Sequence, residues 1–379
     1  MSLSPAQESH VEAIAQRFVY QGQITEIKPF GSGNINDTFL VKLEDAPEPY
    51  FILQRINTEV FQNPRGVMRN MRIFSEHVSC RLGEDLDLRE QLGDRRWETP
   101  RVLLTQDQED HCCELGAAGE EFWRAISFIA NSYTLDAIQD TTHAREIGYG
   151  LGMFHNLISD LPAQQLIDTL EGFHLAPRYF DQYQTVLAKS SVKRSAEVED
   201  CLRFVSDRHL LIPVLEQAKA SGKLPLRLMH GDPKINNILL DQDTDCAVSM
   251  IDLDTVKPGL IHYDIGDCLR SGCNPLGEET DDLEAVRFET DLAEAILQGY
   301  LSVAQKFLTE NDYDYIYESV RLIAFELGLR FLTDYLAGNV YFKAKHPTHN
   351  LMRAGVQFQL TRSIERQEAS LRQLVQSLR

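Results

Sequence analysis

No run of apolar residues in the 379-residue chain is long enough to span a bilayer, and the opening MSLSPAQESH has no basic region leading into an apolar core. A membrane-spanning or secreted protein is therefore not expected, and the cytoplasm is the expected location. Positive charge is scarce: 37 Lys and Arg stand against 57 Asp and Glu, a formal charge of −20. That balance argues against a nucleic acid or an anionic membrane as partner. Cysteine is sparse and odd in number, with Cys80, Cys112, Cys113, Cys201, Cys246, Cys268 and Cys273 forming no C-x-x-C pair and having no histidine at ligand spacing. Reduced thiols are expected rather than a disulfide or zinc framework. His346 and His349 sit three apart in KHPTHN, but Pro347 intervenes and no third ligand is near, so the segment reads as a polar loop. Internal repeats and low-complexity tracts are also missing.

What is present suits a folded protein with a large core: 43% apolar and 25% charged residues exclude disorder as the main state. At about 150 residues per domain, two or three domains are expected. Ser4-Pro5 opens a helix to about residue 19, with Val11, Ile14, Ala15 and Phe18 on one face. The period then becomes two. ITEIKPF, TFLVKL and FILQRI read as consecutive strands, the first two joined by GSGNIND. Asn63-Pro64 starts a helix of about five turns, on which Val67, Met71, Phe74 and Val78 recur at helical spacing. VLLT and EFWRAISFI supply two further strands. After residue 131 the pattern is mainly helical, with segments near 135–158, 178–190, 196–220, 281–309, 312–337 and 350–378. The expected division is a nucleotide-binding lobe over 1–130 and a catalytic, substrate-binding lobe over 131–379. DQDTD begins like a calcium loop, but Cys246 stands where that loop needs glycine, so a solvated hairpin turn is expected.

The most specific segment is His230-Gly231-Asp232-Pro233-Lys234-Ile235-Asn236-Asn237, followed by ILL, a turn, and Ile251-Asp252-Leu253-Asp254. Asp232 precedes Asn237 by five, and Asp252 returns after one hairpin, the spacing of the kinase pattern H-R-D-x-x-x-x-N with its later metal-binding Asp. Phosphoryl transfer needs such a set, because its loose transition state leaves the protein to hold magnesium on the phosphates and to align an incoming hydroxyl. Asp232 is thus expected to accept the hydroxyl proton, and Asn237 and Asp252 to hold the metal. A capped turn would explain H-G-D alone, since Asp and Asn are common turn residues. The second carboxylate at hairpin distance and the upstream Gly-rich strand–loop–strand turn the balance toward a kinase-like enzyme.

Gly31, Ser32 and Gly33 are placed where backbone amides can cover phosphates, with Asn34 beside them. The third strand lacks the usual phosphate-pairing lysine and offers Gln54 on one face and Arg55 on the other. Arg55 is assigned to the phosphates, with Gln54 as the competing contact; Glu76 of the long helix reads either as its ion-pair partner or as part of a solvated helix face.

These residues resemble the aminoglycoside phosphotransferase and choline kinase superfamily, where H-G-D replaces H-R-D and I-D-x-D replaces D-F-G. GYGLGMFHNL, ending in His155, resembles the family helix that precedes the catalytic loop. Across nearly the whole chain, INDTFLV, FILQRIN, MRNMR, PLRLMHGDPKINNILL, IDLDTVKPG, DIGDCLR, RFLTDYLAGNVYF and HNLMRA are most similar to bacterial N-acetylhexosamine 1-kinases. The resemblance implies an α+β, bilobal protein-kinase-like fold, ATP and Mg2+ as cosubstrates, and phosphorylation of the anomeric hydroxyl of an amino sugar. It also implies that Asp232 is the base, that Asp252 binds metal, that Arg330 and Tyr341 contact the sugar, and that Asp264 of HYDIGD braces the catalytic loop. From its helical pattern alone, Arg330 is equally readable as a surface cation. Two positions depart from those relatives: Asn34 stands for a histidine and Ser271 for an aromatic residue, both at the sugar pocket. An aminoglycoside or other amino alcohol, which an acidic surface would attract, is the alternative acceptor.

Overall fold

The computed structural model describes residues 5–31, 35–116 and 119–379. The chain divides into two compact units, the first taking residues up to Ser132 together with Gln164–Glu171 and Leu253–Lys257. Those two later segments were not part of the expected division at residue 130.

Alternating apolar residues in the first unit build an antiparallel sheet in the order Gln23–Pro29, Asp37–Glu44, Tyr50–Ile56, Gly119–Ser127 and Val102–Leu103, with Cys112–Gly116 also paired to Gly119–Ser127. Val41, Leu53, Trp123 and Ala125 pack under it against Val11, Ile14 and Phe18. The helix Pro64–Glu84 buries Val67, Met71, Phe74 and Val78. Its start is set by Asn63, whose side chain accepts the Gly66 N–H at 3.0 Å, and by proline in the first turn. The strand Cys112–Gly116 and the short helix Leu86–Leu92 were not anticipated. CCELG has no two-residue alternation and becomes a strand by pairing with Glu120–Trp123.

The second unit is mainly helical, as expected. The single helix expected over 196–220 is instead Ala196–Asp207 and Val214–Ala220, because Pro213 lacks an N–H and the chain turns through His209–Leu211. The one expected over 281–309 begins only at Thr290. Ile238–Asp241 and Ala247–Met250 form the anticipated hairpin, its turn held by the Asp241 carboxylate accepting the Asp243 and Thr244 N–H groups. Phe204, Phe325 and Phe358 stack in the middle of the unit's core. Thr141–Leu157 and Thr290–Ala304 cross so closely that a Cβ at Gly148 would lie 1.8 Å from the Ile296 carbonyl oxygen, and one at Gly299 1.9 Å from that of Arg145. Glycine is required at both positions. Among the described residues no helix is long and apolar enough to cross a membrane.

Candidate active site

The helix crossing just described puts His155 where it can support the loop that begins at His230. Its Nδ1 lies 3.0 Å from the Tyr300 hydroxyl and its Nε2 2.8 Å from the Asp264 carboxylate. Asp264 is fully buried and accepts the backbone N–H groups of His230 at 2.6 Å and Gly231 at 2.8 Å. A carboxylate with three donors fixes a turn that would otherwise leave buried N–H groups unpaired. Gly231 sits at φ +89°, a conformation glycine adopts without strain. On the far side, the His230 Nε2–H donates to the Ile251 carbonyl at 2.9 Å while its Nδ1 faces the Asp232 N–H at 3.3 Å. Burial holds this imidazole below its ordinary pKa, in agreement with a neutral ring that donates once and accepts once.

Asp232 therefore leaves the loop at a fixed place. Lys234 Nζ is 2.6 Å from its Oδ2, and the Asn237 amide donates to its carbonyl at 2.7 Å and to Oδ2 at 3.3 Å. Burial pushes the Asp232 carboxyl up, but the Lys234 ammonium, with Arg270 behind it, prevails and holds it below the usual carboxylate range. Such a carboxylate is ionised at neutral pH and is a hydrogen-bond acceptor there. The Ile251 N–H donates to the Asn237 carbonyl at 2.9 Å, which makes Asp252 the next residue along from that contact. Asp252 adopts φ +64°, uncommon for a residue with a side chain, and its carboxylate is exposed. Its charge is felt by Lys234 together with those of Asp232 and Asp267.

An amide oxygen and a carboxylate are hard oxygen donors of the kind magnesium takes alongside phosphate oxygens and water. Asn237 spends its N–H on Asp232, which orients the amide so that its oxygen is the atom left for a cation. Among the described residues no cluster of three or more His, Cys, Asp or Glu is arranged as a metal cage. The residues fit a metal completed by a nucleotide, not an all-protein site.

Arg330 projects from the helix Ile316–Ala337 and lies over three rings, with its guanidinium carbon 4.9 Å from the centroid of Tyr179, 5.3 Å from Phe173 and 5.4 Å from Phe342. Among the described residues no carboxylate lies within ion-pair distance of it. Burial disfavours the charge, but Tyr179, Glu326, Tyr341 and Asp232 outweigh that and raise its pKa. Tyr341 is largely exposed, in a loop whose Val340, Tyr341 and Phe342 N–H groups all donate to Asp334 at 2.7–3.0 Å. Asp267 and Glu278 are compensated by arginine: Arg270 bonds both at 2.7 Å, and Arg353 reaches Glu278 at 3.1 Å. The Ser271 hydroxyl donates to carbonyls of its own helix.

In the first unit the expectations fare differently. Ser32, Gly33 and Asn34 lie outside the described residues; Gly31 adopts φ +77°. Arg55 does not pair with Glu76. Its Nε donates to Asp37 at 2.9 Å and its Nη1 to Glu121 at 2.5 Å, while Glu76 faces Arg72 at 3.5 Å. Asp37 is directly opposite Arg55 across the ladder and Glu121 is on the same face one step away, so cross-strand neighbours outcompete a distant helix. Sequence reasoning missed the buried cation of this sheet, Arg124. It is Gln54's direct cross-strand partner, donates to the Gln54 side-chain Oε1 at 2.7 and 3.0 Å, and pairs with Asp254 at 2.5 Å, both side chains of that pair 1% exposed. Asn36 donates to the other Asp254 oxygen at 2.6 Å. The available signal was one arginine at an inward position of the otherwise apolar FWRAISFI.

Comparison with known proteins bears on the fold. Solved structures of the same fold include a microcompartment-associated aminopropanol kinase, 18% identical over 95% of this chain and 98% of that one with a TM-score of 0.60. Others are the choline kinase from Cryptosporidium parvum Iowa II, 14% identical over 97% of each chain with a TM-score of 0.57, and amicoumacin kinase hAmiN in complex with AMP-PNP, Ca2+ and Ami, 13% identical over 94% and 93% with a TM-score of 0.58. The fold is kinase-like, a β-sheet unit followed by a mainly helical one, and the enzyme is a phosphotransferase for small molecules. The chain belongs to the phosphotransferase enzyme family APH, whose model matches residues 26–304.

Proposed function

We propose that this enzyme uses ATP and Mg2+ to phosphorylate the anomeric hydroxyl of an N-acetylhexosamine. The observation that supports this acceptor is the charge pattern around Asp232. Arg330 presents donors with no carboxylate partner, whereas Asp267 and Glu278 are already neutralised by Arg270 and Arg353. A neutral, oxygen-rich acceptor satisfies Arg330 through a hydroxyl or an acetamide carbonyl, whereas among the described residues Asp267, Glu278 and Glu326 already face Arg270, Arg353 and His174. In this reading Asp232 orients the sugar hydroxyl and receives its proton. Lys234 holds Asp232 in place, Asn237 and Asp252 hold the metal, Tyr341 borders the sugar, and Gly31 to Gly33 cover the phosphates with Asn34 at the sugar's edge. Arg55 keeps its phosphate role only by leaving Asp37 and Glu121. Magnesium, when bound, neutralises charge on the transferring phosphoryl group.

The second reading, an amino-alcohol or aminoglycoside acceptor, is favoured by the names of the aminopropanol and choline kinases that share the fold. Incubation with ATP, Mg2+ and matched acceptors separates the two, and N-acetylglucosamine against glucosamine isolates the charge. The expected result is ADP release and a sugar 1-phosphate, identified by its phosphorus–proton coupling, from the acetylated sugar. Arg330→Ala should raise KM for that sugar by about tenfold or more, the cost of a charge-assisted bond. Faster turnover of glucosamine, ethanolamine or an aminoglycoside than of any acetylated hexosamine selects the second reading.

A further inference from the structure

His174 precedes the helix Ala176–Lys189 and takes no part in the reaction as described above. It is 5% exposed and sits at φ +62°, a conformation that costs a residue with a side chain about 1–3 kcal/mol. Its ring is spent on two contacts. Nε2 lies 2.7 Å from the Gly231 carbonyl oxygen and Nδ1 3.0 Å from Glu326 Oε1. A carbonyl has no hydrogen to give, so Nε2 carries one, and the Nδ1–Glu326 contact must contain a second. The pair therefore holds one proton more than a neutral imidazole beside a carboxylate. Glu326 is 2% exposed and its Oε2 has no hydrogen-bond partner among the described residues, so the imidazolium is what balances its charge. Arg330 lies four residues further along the Glu326 helix, over the ring of Phe173, the neighbour of His174.

We propose that His174 is a positioning residue for phosphoryl transfer: as the cation paired with Glu326, it ties the Gly231 carbonyl, and with it the loop carrying Asp232, to the helix that presents Arg330. The proposal rests on the reading of Asp232 as the reacting carboxylate. Asp264 holds the same loop by its N–H groups and the His230 ring holds it to Ile251, so His174 supplies a separate tether, on the Gly231 carbonyl.

The groups facing this ring decide which proton leaves first. Glu326 faces it from one helix and Asp267 from Ile261–Gly272, while Arg330 lies over the neighbouring Phe173 ring. From that second helix Tyr263 also stacks on the imidazole at 5.3 Å, its hydroxyl donating to Glu216 at 2.8 Å. Tyr179 comes from the third, its phenol pushed up to about 12 by burial. Burial likewise raises the Tyr263 phenol well above its ordinary value. Burial lowers the His174 pKa, but Glu326, Asp267 and the Gly231 carbonyl outweigh it and raise it above the ordinary value. As pH rises through that raised value the proton is lost, a lone pair faces a carboxylate, and the tether fails.

The test has one spectroscopic and one kinetic arm. Nitrogen-15 spectra of histidine-labelled full-length protein, with His174 assigned by its loss in His174→Asn, should show His174 with both ring nitrogens protonated at pH 7; a neutral-ring pattern overturns the proposal. The turnover of wild type should fall on the alkaline side. In Glu326→Gln the carboxamide donates to a neutral ring, so the imidazolium signal and the alkaline fall should both disappear. His174→Asn should lower kcat by about tenfold or more with KM for ATP little changed. An unchanged alkaline fall in Glu326→Gln, or wild-type kcat in His174→Asn, contradicts it. The catalytic reading fails separately, if Asp232→Asn retains wild-type turnover.

Discussion

Arg124 of the first unit is a guanidinium with almost no solvent contact: its charge is met by Asp254, its Nε and Nη2 bond Gln54, and its Nη1 lies 3.6 Å from the Met71 sulfur. A buried pair of this kind contributes little net stability over an apolar replacement, but removing one partner strands the other charge. Arg124→Leu should destabilise the protein by about 3–5 kcal/mol in urea unfolding, and adding Asp254→Leu should recover more than half of that loss. If the double variant is as unstable as the single one, the pair is not what holds the sheet to Leu253–Lys257. Arg55, by contrast, is bound on the surface by two carboxylates, so its assignment to phosphate competes with contacts it already makes.

Among the elements, the contact between Thr141–Leu157 and Thr290–Ala304 does the most for the site, because it sets His155 against Tyr300 and Asp264. Gly299→Ala would drive a methyl into the Arg145 carbonyl. The expected cost is about 1–3 kcal/mol of stability, read as a lowered Tm, with turnover falling as the brace on His230 and Gly231 loosens. The helix Ile261–Gly272 also carries a pH signature. His262 is buried with Nδ1 unpartnered, and its Nε2–H meets the Asp312 carbonyl at 3.1 Å. Burial outweighs the Asp312 charge and brings its pKa down to about 4. The unfolded chain therefore binds this proton near pH 6.5 and the folded chain does not. Stability contributed by the neutral ring is present above that pH and is lost as pH falls toward 4, by up to about 1.4 kcal/mol per unit. Urea midpoints of wild type should drop more steeply between pH 6.5 and 5 than those of His262→Gln; parallel curves would remove His262 as the cause.

At the scale of the whole molecule, what sequence made legible was periodic or local. Alternation in TFLVKL and FILQRI announced the sheet, and the asparagine before Pro64 announced the long helix. The interval from Asp232 through Asn237 to Asp252 announced a loop and hairpin that bring all three into one neighbourhood. What escaped depends on partners far away in the chain. Arg124 and Asp254 find each other 130 residues apart, and nothing in CCELG marks it as a strand before Glu120–Trp123 is beside it. His174 and Glu326 are 152 residues apart, and each alone reads as an ordinary polar residue. Charge pairs in a core are chosen by packing, not by local period, so they surface only in three dimensions.

The proposed function requires Asp232, together with Asn237 and Asp252, to perform phosphoryl transfer. It is tested most directly by ADP release from Asp232→Asn and wild type at saturating ATP, Mg2+ and the best acceptor, alongside nucleotide binding to each. Turnover should fall by about 10²–10⁴ with ATP affinity nearly unchanged. Equal turnover in the two proteins would contradict it.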